Sequence, residues 1–239
     1  MSLFDASAER GWQVRVSARA RHLAARVSHD GRVEIVVPAG THAAQITAFV
    51  QRHRRWIERH QARAVPALPF PPQWIVLPAL DEQWLVLQQP DLPQPLQVAA
   101  SSQPGVAGSL LLAAGAAEDV MRTALRHWLT ERARQSWASP LQALALTMQC
   151  QVRQLQLRWQ RTRWGSCSTR GNISLNGALL FQRPAVVRYL WVHELAHLRH
   201  MNHGARFWAH VARFEPDWRA LDRELRDGWR SVPHWLLGR

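Results

Sequence analysis

The chain has 239 residues, 47% hydrophobic and 20% charged, enough to bury a substantial core in one or two domains. Its formal net charge of +13 is carried by arginine alone, because all 30 basic residues are Arg. No stretch reaches the length of a membrane span, the N-terminal M-S-L-F-D-A-S-A-E-R lacks a signal core, and Cys150 and Cys167 alone make no disulfide framework, so a cytoplasmic setting is expected.

The charge is unevenly placed. Residues 1–64 hold 11 Arg against 5 acids, residues 65–150 hold 4 against 6, and residues 151–239 hold 15 against 6. Basic ends of this kind attract phosphate-bearing partners, nucleotides or nucleic acid. No compact basic block or nucleic-acid module accompanies them, and a solvated arginine surface gives the same count.

Along the chain, apolar residues first alternate at Val14 and Val16, at Leu23, Ala25 and Val27, and at Val33, Ile35 and Val37. With a His29-Asp30-Gly31 turn, this period of two predicts a small antiparallel sheet. Ile46, Phe49, Val50, Trp56 and Ile57 then recur at helical spacing to about Arg63. P-A-L-P-F-P-P at 66–72 reads as a linker, followed by two short strands around 73–88 and a Pro/Gln/Ala/Ser/Gly-rich loop over 89–108. Val120, Ala124, Leu125, Trp128 and Leu129 predict a helix, and Ser139-Pro140 predicts the start of another running to about Met148.

Leu155, Leu157 and Trp159 alternate again, and Ile173 and Leu175 resume the pattern after a turn near Thr169–Gly171, which predicts a hairpin. Its edge could hold an extended peptide by strand addition. Within it, backbone N–H groups of Trp164 to Cys167 could face an oxyanion, Asn172 and Asn176 could contact substrate, and Arg161 and Arg163 could bind a carboxylate or phosphate. Each has a structural alternative: a tight turn, strand polarity, or plain surface charge.

The chemistry concentrates in V-H-E-L-A-H-L-R-H-M-N-H-G at 192–204. His193 and His197 lie four apart, so on a helix over 184–201 both imidazoles project from one face and can converge on one ion. Glu194 lies next to the first of them, about 100° further round, where a carboxylate can take a proton from a metal-bound water. Zinc suits imidazole nitrogen and keeps an open position when catalytic, although another divalent metal is compatible. A third ligand is needed. His203 would lie about 15 Å further along an unbroken helix, so it can join only if the helix ends near Met201-Asn202, before Gly204. Glu215 or Glu224 is the rival third ligand. His200 and Tyr189 suit supporting or packing positions, and Cys167 suits a small buried one. Helices marked by Phe207, Val211 and Phe214, and by Trp218, Leu221 and Leu225 after Asp217, follow.

R-W-G-S-C-S at 163–168, G-N-I-S-L-N at 171–176, V-H-E-L-A-H-L at 192–198 and M-N-H-G-A-R-F-W at 201–208 together resemble the YgjP-like metal-dependent hydrolases of the zincin clan, related to SprT-like proteases. The resemblance implies an α+β zincin-like domain over 116–239, with an antiparallel hairpin beside the H-E-x-x-H helix. A strand and loop connector over 65–115 and a small sheet plus helix over 1–64 precede it. It places the metal ligands on His193, His197 and His203 and the catalytic acid on Glu194. The implied activity is a zinc-dependent metallopeptidase acting on peptides. A phosphohydrolase acting on nucleotides and a DNA-associated SprT-like protease are the alternatives.

Overall fold

The computed structural model describes residues 12–27, 31–62 and 69–237, arranged in two compact units, 1–68 and 69–239. Residues 29 and 30 of the first predicted turn, Arg63, and residues 66–68 of the predicted linker lie outside the described residues.

In the first unit, strands β1 (Trp12–Val16), β2 (Ala24–Val27) and β3 (Val33–Val37) form a sheet in the order β1-β3-β2. β2 and β3 are antiparallel, as the alternation predicts, but β1 runs parallel to β3. The expected all-antiparallel sheet is therefore mixed. β3 is the most apolar of the three, and taking the centre pairs both of its edges while burying Val33, Ile35 and Val37. Helix α1 (Ala43–Gln61) closes this core with Ile46 and Ile57.

The second unit opens with a four-stranded sheet: β4 (Trp74–Leu77), β5 (Glu82–Gln89), β6 (Leu96–Ala99) and β7 (Gly108–Ala113), ordered β4-β5-β7-β6. The stretch 89–108, expected to be loop, contains β6, whose Leu96 and Val98 pair with Leu112 and Leu110 of β7. Ile75, Leu77, Trp84, Val86, Leu110 and Leu112 share one core with the following helix, so residues 69–115 are built into this unit.

That helix, α2 (Glu118–Thr147), is continuous through Pro140, where the sequence had predicted a new start. A mid-helix proline costs about 3 kcal/mol. Breaking the helix there would misplace Trp137 and Leu141, each 2% exposed, on the stripe that begins at Met121 and Leu125. Burying two such side chains contributes roughly 3–6 kcal/mol, and packing wins.

Next come β8 (Gln154–Arg158), β9 (Gly165–Cys167) and β10 (Asn172–Asn176), in the order β8-β10-β9. β10 is parallel to β8 and antiparallel to β9. The segment around Leu155 and Leu157 is thus not the hairpin partner of Ile173 and Leu175. That partner is the short β9, which the sequence conceals because Gly165-Ser166-Cys167 carries no alternation. Helices α3 (Pro184–Ala196), α4 (Ala205–Phe214), α5 (Trp218–Asp227) and α6 (His234–Leu237) complete the unit. Among the described residues no helix is long and apolar enough to cross a membrane.

Candidate metal centre

Helix α3 begins on Pro184, whose missing N–H costs nothing at a first turn, and it buries residues nearly all round, including Val186, Tyr189, Leu190, Val192 and Leu195. It ends at Ala196, five residues earlier than the sequence predicted. The last turn tightens as Leu198 N–H reaches Leu195 O and the N–H groups of Arg199 and His200 both reach Ala196 O. The reversal needs no left-handed residue, since Gly204 is extended at φ −79° and opens α4. Its consequence is large: His203 returns to His193 and His197 instead of projecting away along a helix axis.

The three histidines present ring nitrogens that all lie within 4.8 Å of one another, the one such group of potential metal donors among the described residues. Nε2 of His203 is 3.1 Å from Nε2 of His193, and the His197 ring centroid is 5.0 Å from that of His193 and 4.7 Å from that of His203. Two imidazole nitrogens bound tetrahedrally to one ion at about 2.0–2.1 Å would be about 3.3 Å apart, so the donor set and spacing fit such an ion. Phe207, fully buried at 0% exposure, packs its ring 4.6–5.0 Å from all three. Trp208 stacks on exposed His203 at 5.6 Å and on Trp218 at 4.0 Å.

Burial pushes His193 down to about 4, with His197 and His203 adding repulsion, and burial followed by His203 lowers His197. Both rings are therefore neutral near pH 7, with lone pairs free to bind a cation. Glu194 is 4% exposed, and burial pushes its carboxyl up to about 8. Its Oε2 is buried without a hydrogen-bond partner, as is Nδ1 of His193. An unpaired carboxyl at this depth is costly unless another charge or a reacting group faces it.

The rivals for third ligand are occupied elsewhere. Glu215 accepts from Arg188 Nη1 at 2.5 Å, and Glu224 takes both ends of the Arg183 guanidinium at 2.5 and 2.6 Å. Arg183 caps α3 ten residues, or about 15 Å, before His193. His200 touches the site through its carbonyl, 3.3 Å from His197 Nδ1, while its ring faces His210. Tyr189 donates to Asp222 Oδ1 at 2.9 Å and its hydroxyl is raised well above its usual range, first by burial and then by that bond. It packs as a core tyrosine. Burial, followed by Glu194 and Cys150, pushes the Cys167 thiol up to about 11, opposite to what a thiolate ligand requires.

The hairpin residues divide sharply. Trp164 is 8% exposed and stacks on Trp229 at 4.1 Å, an interior position. Asn176 is 1% exposed, and its side chain donates to the carbonyls of Gln160 and Arg163 and accepts from Ala178 N–H. It clamps the β8–β9 connection, with both its amide nitrogen and its carbonyl oxygen engaged by backbone groups. Asn172 is half-buried on β10, its Oδ1 unpaired. Arg161 and Arg163 are exposed on the β8–β9 connection, with Arg161 in electrostatic reach of Arg126.

β9 is the edge strand beside α3, and a Cβ placed on Gly165 would meet the Glu194 carboxylate. Its free backbone groups can be deduced. Asn176 N–H bonds Trp164 O at 2.8 Å and Ser168 N–H bonds Asn172 O at 2.9 Å, so pairs 164/176 and 168/172 face inward. In an antiparallel ladder such pairs alternate, so 166/174 also faces inward, while the N–H and C=O groups of Gly165 and Cys167 point to the open edge. Phe207 and Trp208 are the residues that sequence reasoning did not single out as supports of the site, and Gly165 entered it only through its backbone N–H. The amphipathic spacing of Phe207 and Trp208 just after His203 was the available signal.

The model of the YgjP-like metallopeptidase domain matches residues 21–228. A crystal structure of the metallopeptidase zymogen of Pyrococcus abyssi abylysin is 27% identical over 36% of this chain and 87% of that chain, with a TM-score of 0.33. No curated protein matches. Because the family model spans most of its length, the chain belongs to the YgjP-like metallopeptidase family and is a metal-dependent hydrolase.

Proposed function

We propose that His193, His197 and His203 hold one divalent cation, zinc by donor chemistry, and that Glu194 is the general base of a peptidase whose substrate adds to the open edge of β9. The observation that carries this reading is the convergence of three imidazoles within 4.8 Å next to a buried, unpaired carboxyl. Three imidazole nitrogen donors leave room for a fourth ligand, as catalytic zinc sites require. A bound ion would polarise the scissile carbonyl and make a water acidic enough to attack near pH 7. Its charge would also draw the Glu194 carboxyl down from about 8 into its ionised, basic form.

Glu194 then accepts the proton of the attacking water and returns it to the leaving amine. The outward N–H and C=O groups of Gly165 and Cys167 supply ladder partners for an extended peptide. Membership of a peptidase family favours a peptide over the phosphate ester, nucleotide or nucleic acid that the charge had suggested.

The test is Glu194→Gln, which keeps the shape and removes the base. Metal content should stay at the wild-type level while cleavage of an unstructured protein falls by roughly 100-fold or more, as expected for loss of general base catalysis. Full cleavage by a metal-loaded Glu194→Gln protein would refute the assignment.

A further inference from the structure

We propose that Gly165 is a positioning residue for Glu194, its missing side chain forming the space in which the carboxylate rests against β9. This rests on the reading of Glu194 as general base. A Cβ at 165 would lie 2.5 Å from Glu194 Oε1 and 3.0 Å from both Cδ and Cγ, whereas uncrowded contacts of this kind lie near 3.5 Å. The backbone gives no other reason for glycine. Gly31, Gly40, Gly105 and Gly171 have positive φ, but Gly165 sits in ordinary strand geometry that alanine adopts freely.

The carboxylate has no easy retreat. Glu194 is 4% exposed on a helix whose neighbouring Val192, Leu195 and Ala196 are fully buried at 0%. Strand β9 cannot swing outward without loosening the pairing of Ser166 with Ser174 and of Gly165 with Leu175. A methyl group at 165 therefore moves the Glu194 side chain, and it does so without touching the three histidines. The two halves of the site separate: the histidines are set by α3 and the loop before α4, while the base is set by β9.

The experiment compares wild type, Gly165→Ala, Glu194→Gln and Gly177→Ala for metal content, kcat and KM. Gly177 is the control for crowding, because its Cβ would meet Trp159 at 2.6 Å, away from Glu194. Gly165→Ala should retain metal and lose about 100-fold in kcat with KM changed by less than about twofold, as a displaced catalytic group predicts. Gly177→Ala should lower Tm and leave kcat near wild type. Melting of the metal-free proteins gives the second readout. Gly165→Ala should lower Tm in the wild-type background and not in Glu194→Ala, where the crowded carboxylate is gone. Wild-type kcat in Gly165→Ala, or an equal Tm loss with and without the Glu194 side chain, would overturn the proposal. If Glu194→Gln keeps full kcat, the general-base reading fails and the positioning role falls with it, whereas failure of Gly165→Ala alone leaves that reading standing.

Discussion

Cys167 is half-buried within electrostatic reach of the buried Glu194, and burial pushes each of the two toward its neutral form. For Cys167 the consequence is direct. A thiol at about 11 carries roughly one thiolate in a thousand at pH 8, about 100-fold less than an ordinary cysteine. Because the shift is upward, reactivity should rise as pH climbs toward 11. Alkylation of the native protein by iodoacetamide at pH 8 should therefore be about 100-fold slower than that of a free cysteine, with Cys150 buried and slower still. Rapid labelling of Cys167, followed by peptide mass spectrometry, would contradict this environment. At this scale the spacing of His193 and His197 announces two imidazoles on one helix face, whereas His203 reaches them only because α3 ends at Ala196. The status of Asn176 was not legible. Its clamp needs the carbonyls of Gln160 and Arg163, and no spacing rule announces carbonyls brought together by a loop.

Among the elements, β9 is where structure adds most. Three residues with no alternation became the edge strand because β10 pairs with β8 on its other side, and a parallel partner separated by a long connection leaves no local signature. Similarly, α2 overrode Pro140 because its burial stripe continues on both sides of the proline. Helices α4 and α5 were legible, since apolar spacing alone sets their buried faces, whereas α3 showed itself as a nearly continuous apolar run whose end the sequence did not mark. The edge makes a specific prediction. Cys167→Pro removes an N–H that points away from β10, so the ladder bonds at Ser166 and Ser174 survive. KM for a peptide substrate should rise roughly three- to tenfold, the worth of one hydrogen bond, with metal retained. Cys167→Ala is the control and should leave KM unchanged. Equal KM in wild type, Cys167→Ala and Cys167→Pro would remove strand addition at this edge from the account.

For the molecule as a whole, net charge proved a poorer guide than motif. Many arginines are held in internal ion pairs, among them Arg132 with Glu82, Arg183 with Glu224, Arg188 with Glu215 and Arg226 with Asp222. A charge count cannot distinguish such pairs from a phosphate-binding surface. The extent of the second unit was equally hidden, because the sheet from β4 to β7 shows its role only once Ile75, Leu77, Leu110 and Leu112 meet α2 in a common core. What the two units leave for direct measurement is the metal. Purified protein, reconstituted with zinc and desalted, should carry about one ion per chain by elemental analysis, and His203→Ala should lose it, since the remaining pair of imidazoles binds far more weakly. A wild-type chain that retains no stoichiometric metal, or a His203→Ala chain that retains it unchanged, would contradict the three-histidine centre.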